Sequence, residues 1–196
     1  MTAAVALAAS ACGGGTDATV TGRVADSAGQ PLPGAVIVVG GGSVRGATVA
    51  HSDGTYSLSN QPTGDTPVHV FAPGFVYDAG HTVKSLNSGA NTYNPKLKPQ
   101  RGGAGPRFGA DPTVTVSGST IHLRAQIVAG PGSPVGSELL AVDVADGRAV
   151  LLTMSGGTAT GSIATSQVHP HAQWLFIATD DACQESTTFP TAQTPS

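Results

Sequence analysis

Glutamate is nearly missing from this chain: among 196 residues only Glu138 and Glu185 carry it. Charged residues of all kinds make up 11% of the sequence, against roughly a quarter in an average soluble domain. The nine Lys and Arg residues form no cluster, which excludes a nucleic-acid surface built to neutralise phosphates. No apolar run approaches the roughly 18 residues of a membrane-spanning helix, so a helical membrane bundle is excluded as well. Leu is outnumbered by Val, and both by Thr. β-branched side chains are stiff at χ1 and fit a pleated surface better than a helix, which excludes an all-helical protein or a coiled coil. What is abundant is turn chemistry, with 27 Gly and 14 Pro. These proportions describe a loop-rich, lightly packed β protein.

Familiar catalytic patterns are lacking too. No His is followed three residues later by Glu, as a zinc peptidase helix requires, and the Gly-x-Ser-x-Gly elbow is missing. The Gly runs at 13–15, 40–42 and 101–105 lack the Lys, Ser/Thr or helix start of a phosphate cradle.

Residues Thr2 to Ala11 are small and largely apolar and lead through Ala9-Ser10-Ala11 into Cys12, followed by three glycines. Such a run is too short to span a bilayer but suits the core of a secretory signal. It resembles a bacterial lipoprotein signal. The resemblance implies a signal peptide over 1–11 (with its basic segment upstream if the start codon is misassigned), a lipid on Cys12 and a flexible tether over 12–18. It also implies a place in the cell envelope, with the lipid as the sole membrane contact. The alternative is an Ala-rich end that happens to hold a cysteine. Cys183, the only other cysteine, reads as a buried small residue at a strand end, or as a disulfide partner of Cys12 if no lipid is attached.

From Thr19 the text becomes strand, turn, strand. Asp26-Ser27-Ala28-Gly29 and Pro31-Leu32-Pro33-Gly34 are turns, and Ala35 to Val39 is an apolar run suited to a strand buried on both faces. Ser52-Asp53-Gly54 is a hairpin, after which Tyr56 and Leu58 face one way. Val68-His69-Val70-Phe71 is a further strand, with His69 facing solvent, and a weaker one near Tyr93 to Leu97 ends at Pro99. The strings Gly22-Arg23-Val24-Ala25-Asp26, Gly29-Gln30-Pro31-Leu32-Pro33-Gly34-Ala35, Ser52-Asp53-Gly54-Thr55-Tyr56-Ser57-Leu58, Pro62-Thr63-Gly64 and Pro73-Gly74-Phe75 together resemble a carboxypeptidase regulatory-like domain over residues 19–99. That resemblance implies a transthyretin-like β-sandwich. The shared motifs are turns and core positions, so no catalytic residue is implied.

Residues 100–111, rich in Gly with Arg101 and Arg107, read as a linker. Beyond Pro112, Ile121, Leu123, Ala125 and Ile127 alternate with Thr120, His122, Arg124 and Gln126, as in a half-buried antiparallel strand. Leu140, Val142 and Val144 alternate with Ala141 and Asp143, and the rival reading is a helix from Ser137 to Ala145. Asp146-Gly147 makes a hairpin into Val150-Leu151-Leu152, and Trp174 shares a core face with Phe176 and Ala178. The strand order ending in Ala178-Thr179-Asp180-Asp181-Ala182 resembles bacterial immunoglobulin-like surface modules. The expected architecture is all-β: two tandem antiparallel β-sandwich modules, transthyretin-like at 19–99 and immunoglobulin-like at 112–190, with a tail at 191–196.

For a metal, His169 and His171 are the sharpest candidates, since residues two apart in an extended segment point to one side. Asp180 or Asp181 would complete such a site, and the pair could equally meet calcium or simply face water. Tyr77, Tyr93, Phe75 and Phe108 near loops suit either sugar-stacking platforms or anchors over a thin core. The expectation is a non-catalytic, envelope-attached spacer, adhesive or protein-binding module without a cofactor, its partner a protein or glycan at the cell surface. A carbohydrate-binding accessory module stands as the alternative, and a His/Asp metal hydrolase ranks third.

Overall fold

The computed structural model describes residues 15–76, 82–99, 105–130, 135–180 and 186–195; Cys12, Cys183, Tyr77, Arg101 and Asp181 lie outside them. In the first half the strands are β1 (Ala18–Arg23), β2 (Ala25–Asp26), β3 (Val36–Val39), β4 (Val44–Val49), β5 (Thr55–Gln61), β6 (Gly64–Phe71), β7 (Phe75–Val76), β8 (Thr82–Leu86), β9 (Gly89–Thr92) and β10 (Lys96–Pro99). The second half supplies β11 (Arg107–Ser117), β12 (Thr120–Val128), β13 (Val135–Asp143), β14 (Arg148–Leu151), β15 (Thr153–Ser155), β16 (Thr158–Ala164), β17 (Gln173–Asp180) and β18 (Ser186–Gln193). The one helical element among the described residues is a 3-10 turn at Thr165–Gln167, so none is long and apolar enough to cross a membrane.

The turns form for the local reasons their residues supply. The Asp26 carboxylate accepts from the amides of Ala28 and Gln30 at 2.9 and 2.8 Å. Asp53 does the same for Thr55, taking its amide at 2.9 Å and its hydroxyl at 2.6 Å, while Gly54 sits at φ 80°, a left-handed conformation that favours glycine. These bonds hold the Asp53 carboxyl below its ordinary pKa, the Thr55 hydroxyl contributing most.

Strand order carries the main finding. One antiparallel sheet of eight strands runs β18-β17-β13-β14-β4-β3-β6-β8 and draws on both halves of the chain. The join is β14 against β4, with Val150 opposite Val44, Ala149 opposite Arg45 and Arg148 opposite Gly46. Two further bonds extend it: the Ala47 amide donates to the Gly147 carbonyl at 2.6 Å, and the Leu151 amide to Ser43 at 2.8 Å. The expectation of two separate sandwiches joined only by an extended linker is therefore corrected. Each half keeps its own covering sheet, β5-β1-β9 over the first and β11-β12-β16-β15 over the second, and a small sheet β2-β10-β7 closes one side.

Burial follows the alternation of the strands. Ile37 and Val39 of β3 point into a first core with Val20, Tyr56, Leu58, Val68 and Val70. Leu139, Ala141, Val150, Trp174 and Phe176 point into a second, against Ile121, Leu123, Ala125 and Ile127. The opposite face of the long sheet carries a third cluster shared between the halves: Val36, Val38, Ala47 and Phe71 with Leu140, Val142, Ala149 and Ile177. Each large apolar side chain fully withdrawn from water contributes about 1.5–3 kcal/mol, so this shared cluster couples the halves beyond their ladder of backbone bonds.

Three readings change, and the strand expected over its rival helix beyond Ser137 holds. Residues 107–111, expected in the linker, are strand: Arg107 pairs with Val128 and Phe108 with Ile127, and a register shift before Thr113 accommodates Pro112, which has no amide to donate. The expected tail is part of the fold, because β18 runs to Gln193 and the buried Trp174 indole donates to the Thr194 hydroxyl at 2.9 Å. The segment from Ser137 is strand to Asp143, not helix, since Leu139/Ala141 and Leu140/Val142 are buried on opposite faces. His69, expected to face solvent, is 3% exposed, because it lies opposite Val38 on the face that holds the third cluster.

Candidate binding cleft at the seam

Where β4 meets β14, the covering sheets of the two halves leave the long sheet open. An open cleft of about 350 Å³ lies there. It is lined along the sheet by Val39 to Gly42 and by Val44, Arg45 and Gly46 of β4, the buried Arg45 donating to the Gly42 carbonyl at 3.0 Å. One wall is the end of β5, from Leu58 to Pro62; the other is the Asp146-Gly147-Arg148 hairpin. A second hollow of about 430 Å³, lined by Ser166 to Pro170, shares Asp146 and Arg148 with the first.

The β5 wall is shaped by an irregularity. The β1–β5 register shifts between the pairs Ala18–Gln61 and Val20–Leu58, and Asn60 within that interval adopts φ 59°. A bulge of this kind re-aims side chains, and Asn tolerates the left-handed region better than most residues. Gln61 is buried, donates its amide to the Ser59 carbonyl at 2.6 Å and lies over Gly46, where a Cβ would overlap it. Neither the Asn60 amide nor the Arg148 guanidinium has a hydrogen bond or ion pair among the described residues, although both line the cleft.

The hairpin wall carries the acidic groups. Asp146 accepts from the His169 backbone amide, and the His169 ring nitrogen Nε2 lies 3.6 Å from Asp146 Oδ1. Asp143 is fully buried where β13 ends, opposite Arg148 and Trp174. Its Oδ1 accepts from the Ala145 amide at 3.0 Å, while Oδ2 has no partner among the described residues. Burial pushes its pKa up, the nearby Asp146 charge adds to the rise, and the Ala145 amide and His169 oppose it.

The other candidates fall elsewhere. His169-Pro170-His171 is a turn rather than an extended segment, with His171 at φ 65°, so the same-side geometry assumed for a shared metal does not arise. His169 is 73% exposed and turned to Asp146. His122 and His51 are exposed on the surface. Asp180, expected to face water, is 4% exposed at the end of β17. No group of three His, Cys, Asp or Glu among the described residues is arranged to hold a metal ion. Of the aromatics, Phe75 and Tyr93 pack on the first core and Phe108 on the second. The Tyr93 ring is further covered by the Lys84 ammonium at 4.5 Å, which leaves that face unavailable for stacking. Asn60 and Arg148 had no part in the sequence reading, and Asp143 entered it only as a position alternating with the apolar residues of its strand.

Fold and cleft thus define an all-β sandwich protein with a polar groove where its halves join. Residues 19–98 match the family model of the carboxypeptidase regulatory-like domain. No curated protein matches the chain. Among solved structures it is similar to a candidate carbohydrate-binding protein of Bacteroides uniformis, at 17% identity and a TM-score of 0.38, covering 91% of this chain and 99% of that one. A DUF3823 family protein of Bacteroides ovatus follows at 14% identity and 0.36, covering 91% and 98%. BcpA, the major pilin subunit of Bacillus cereus, is similar at 10% and 0.34, covering 90% and 68%. At these identities and scores the likeness says nothing of ligand or partner.

Proposed function

We infer that this chain is a non-catalytic bacterial envelope module, tethered through a lipid on Cys12, that acts as a spacer and presents its seam cleft to a partner at the cell surface. The observation that carries the binding role is the cleft itself, lined from both halves of one continuous sheet, with two side chains, Asn60 and Arg148, that have no hydrogen-bond or ion-pair partner among the described residues. A spacer is served by the β4–β14 join, because halves that share a sheet and a buried cluster do not swing independently. A carbohydrate partner is the second reading, favoured by a lining of hydroxyl and amide side chains, Thr16, Ser59, Asn60 and Gln61.

Two measurements test this. In producing cells, Cys12→Ser should move the protein out of the membrane fraction with its fold intact, since lipid anchoring depends on many buried CH₂ groups at about 0.8 kcal/mol each. An unprocessed, unlipidated native amino end would refute the anchor. For the binding role, the full chain is screened against envelope glycans and surface proteins, and captured partners are re-tested with Asn60→Gly and Arg148→Ala. Capture that neither variant weakens would remove the cleft from the function.

A further inference from the structure

The two cleft side chains without a partner among the described residues, Asn60 and Arg148, differ in chemistry, and the difference points to a ligand. Arg148 offers a planar set of five donors fitted to a carboxylate, while Asn60 offers both a donor and an acceptor suited to a hydroxyl. The nearest acidic wall residue, Asp146, is already occupied by the backbone amide and ring of His169 and is 19% exposed, so it competes little for an incoming anion. Glycines line much of the cleft, at Gly40 to Gly42 and Gly46, beside Val44 and Arg45, and Thr16, Ser59 and Gln61 add hydroxyl and amide groups. A saccharide presents many hydroxyls, which hydroxyl and amide side chains of such a lining can both donate to and accept from.

We propose that the seam cleft binds an acidic saccharide, with a uronic acid carboxylate on Arg148 and ring hydroxyls on Asn60 across the cleft. The inference rests on the carbohydrate reading given above. It requires both halves of the chain, because Asn60 belongs to β5 and Arg148 to β14, and neither half alone encloses the site. Arg148 makes charge-assisted bonds in an open cleft, so binding weakens with added salt.

The test is a titration of the full chain with three probes: trigalacturonate, its methyl ester and tetraglutamate. Trigalacturonate should bind, and the ester, whose carboxylates are neutral methyl esters, should bind about tenfold more weakly or worse, the loss expected for one charge-assisted hydrogen bond. Arg148→Ala should abolish the difference between acid and ester, and Arg148→Lys should restore part of it. Asn60→Gly should weaken acid and ester alike. Both residues are exposed, and glycine suits the backbone at 60, so these variants keep the fold. If the ester binds as well as the acid and only Asn60→Gly weakens it, the carbohydrate reading survives and the acidic assignment fails. If tetraglutamate binds through Arg148 more tightly than the saccharide, the ligand is an acidic peptide and the proposal fails. If no saccharide binds, the proposal and the carbohydrate reading fall together.

Discussion

Gly46 of β4 stands directly opposite Arg148 of β14, and the buried side chain of Gln61 lies over the glycine. This cross-strand pair is one of three that join the halves, and both its residues line the cleft. A side chain at 46 must displace Gln61 from its contact. Gly46→Val is therefore expected to destabilise the protein by about 1–3 kcal/mol, the usual cost of overpacking. Because β4 and β14 share a sheet and a buried cluster, wild-type thermal unfolding should be a single transition by calorimetry. Two well-separated wild-type transitions would show that the seam does not couple the halves.

Tyr56 donates its hydroxyl to the Tyr93 carbonyl at 2.6 Å, and burial pushes its phenol far above the ordinary range, so it stays a donor at any physiological pH. Tyr56→Phe should cost about 0.5–1.5 kcal/mol in denaturant unfolding, a typical net hydrogen bond. Gly22→Ala should cost more, because its Cβ would collide with the same Tyr93 carbonyl, which is backbone and yields less readily. A Gly22→Ala protein as stable as wild type would contradict the packing of β1 against this segment.

Asp143 gives a pH prediction with a definite sign. Its pKa is raised in the folded protein, so folding favours the protonated form. Below the unfolded value near 3.8 both states are protonated and the group costs nothing; as pH rises through the folded value, ionising the buried carboxyl lowers stability. Asp143→Asn keeps an acceptor for the Ala145 amide and removes the charge. Its melting temperature should exceed that of wild type at pH 7, and the gap should close near pH 3. A variant less stable than wild type at pH 7 would mean that the ionised carboxylate has a role in the fold.

His169 and His171 part a metal site from a surface turn. Replacing both with Ala should change stability by under about 0.5 kcal/mol, apart from the loss of the exposed Asp146 contact. Micromolar zinc should leave the wild-type melting temperature unchanged. A rise of several degrees, abolished in the double variant, would establish a metal site, because a ligand that binds only the folded state stabilises it by mass action.

The sequence alone determined what depends on neighbours a few residues apart. β-branched runs, the Asp26 and Asp53 turns and the alternation through Ile121 to Ile127 each encode their own geometry, so the all-β class, most strands and the core placement of Trp174 were legible. The regulatory-like stretch was legible for the same reason, as its motifs are local turns at ordered intervals. Only the tertiary structure decided the rest. The partner of β4 is β14, about a hundred residues away, and an edge strand of Val, Gly and Thr carries no mark of which other edge it will meet. From that pairing follow the shared third cluster and the cleft that holds both Asn60 and Arg148. Pairing across the chain is set by the energy of the whole assembly, in which burying apolar surface on both faces of one sheet outweighs leaving two edges in water.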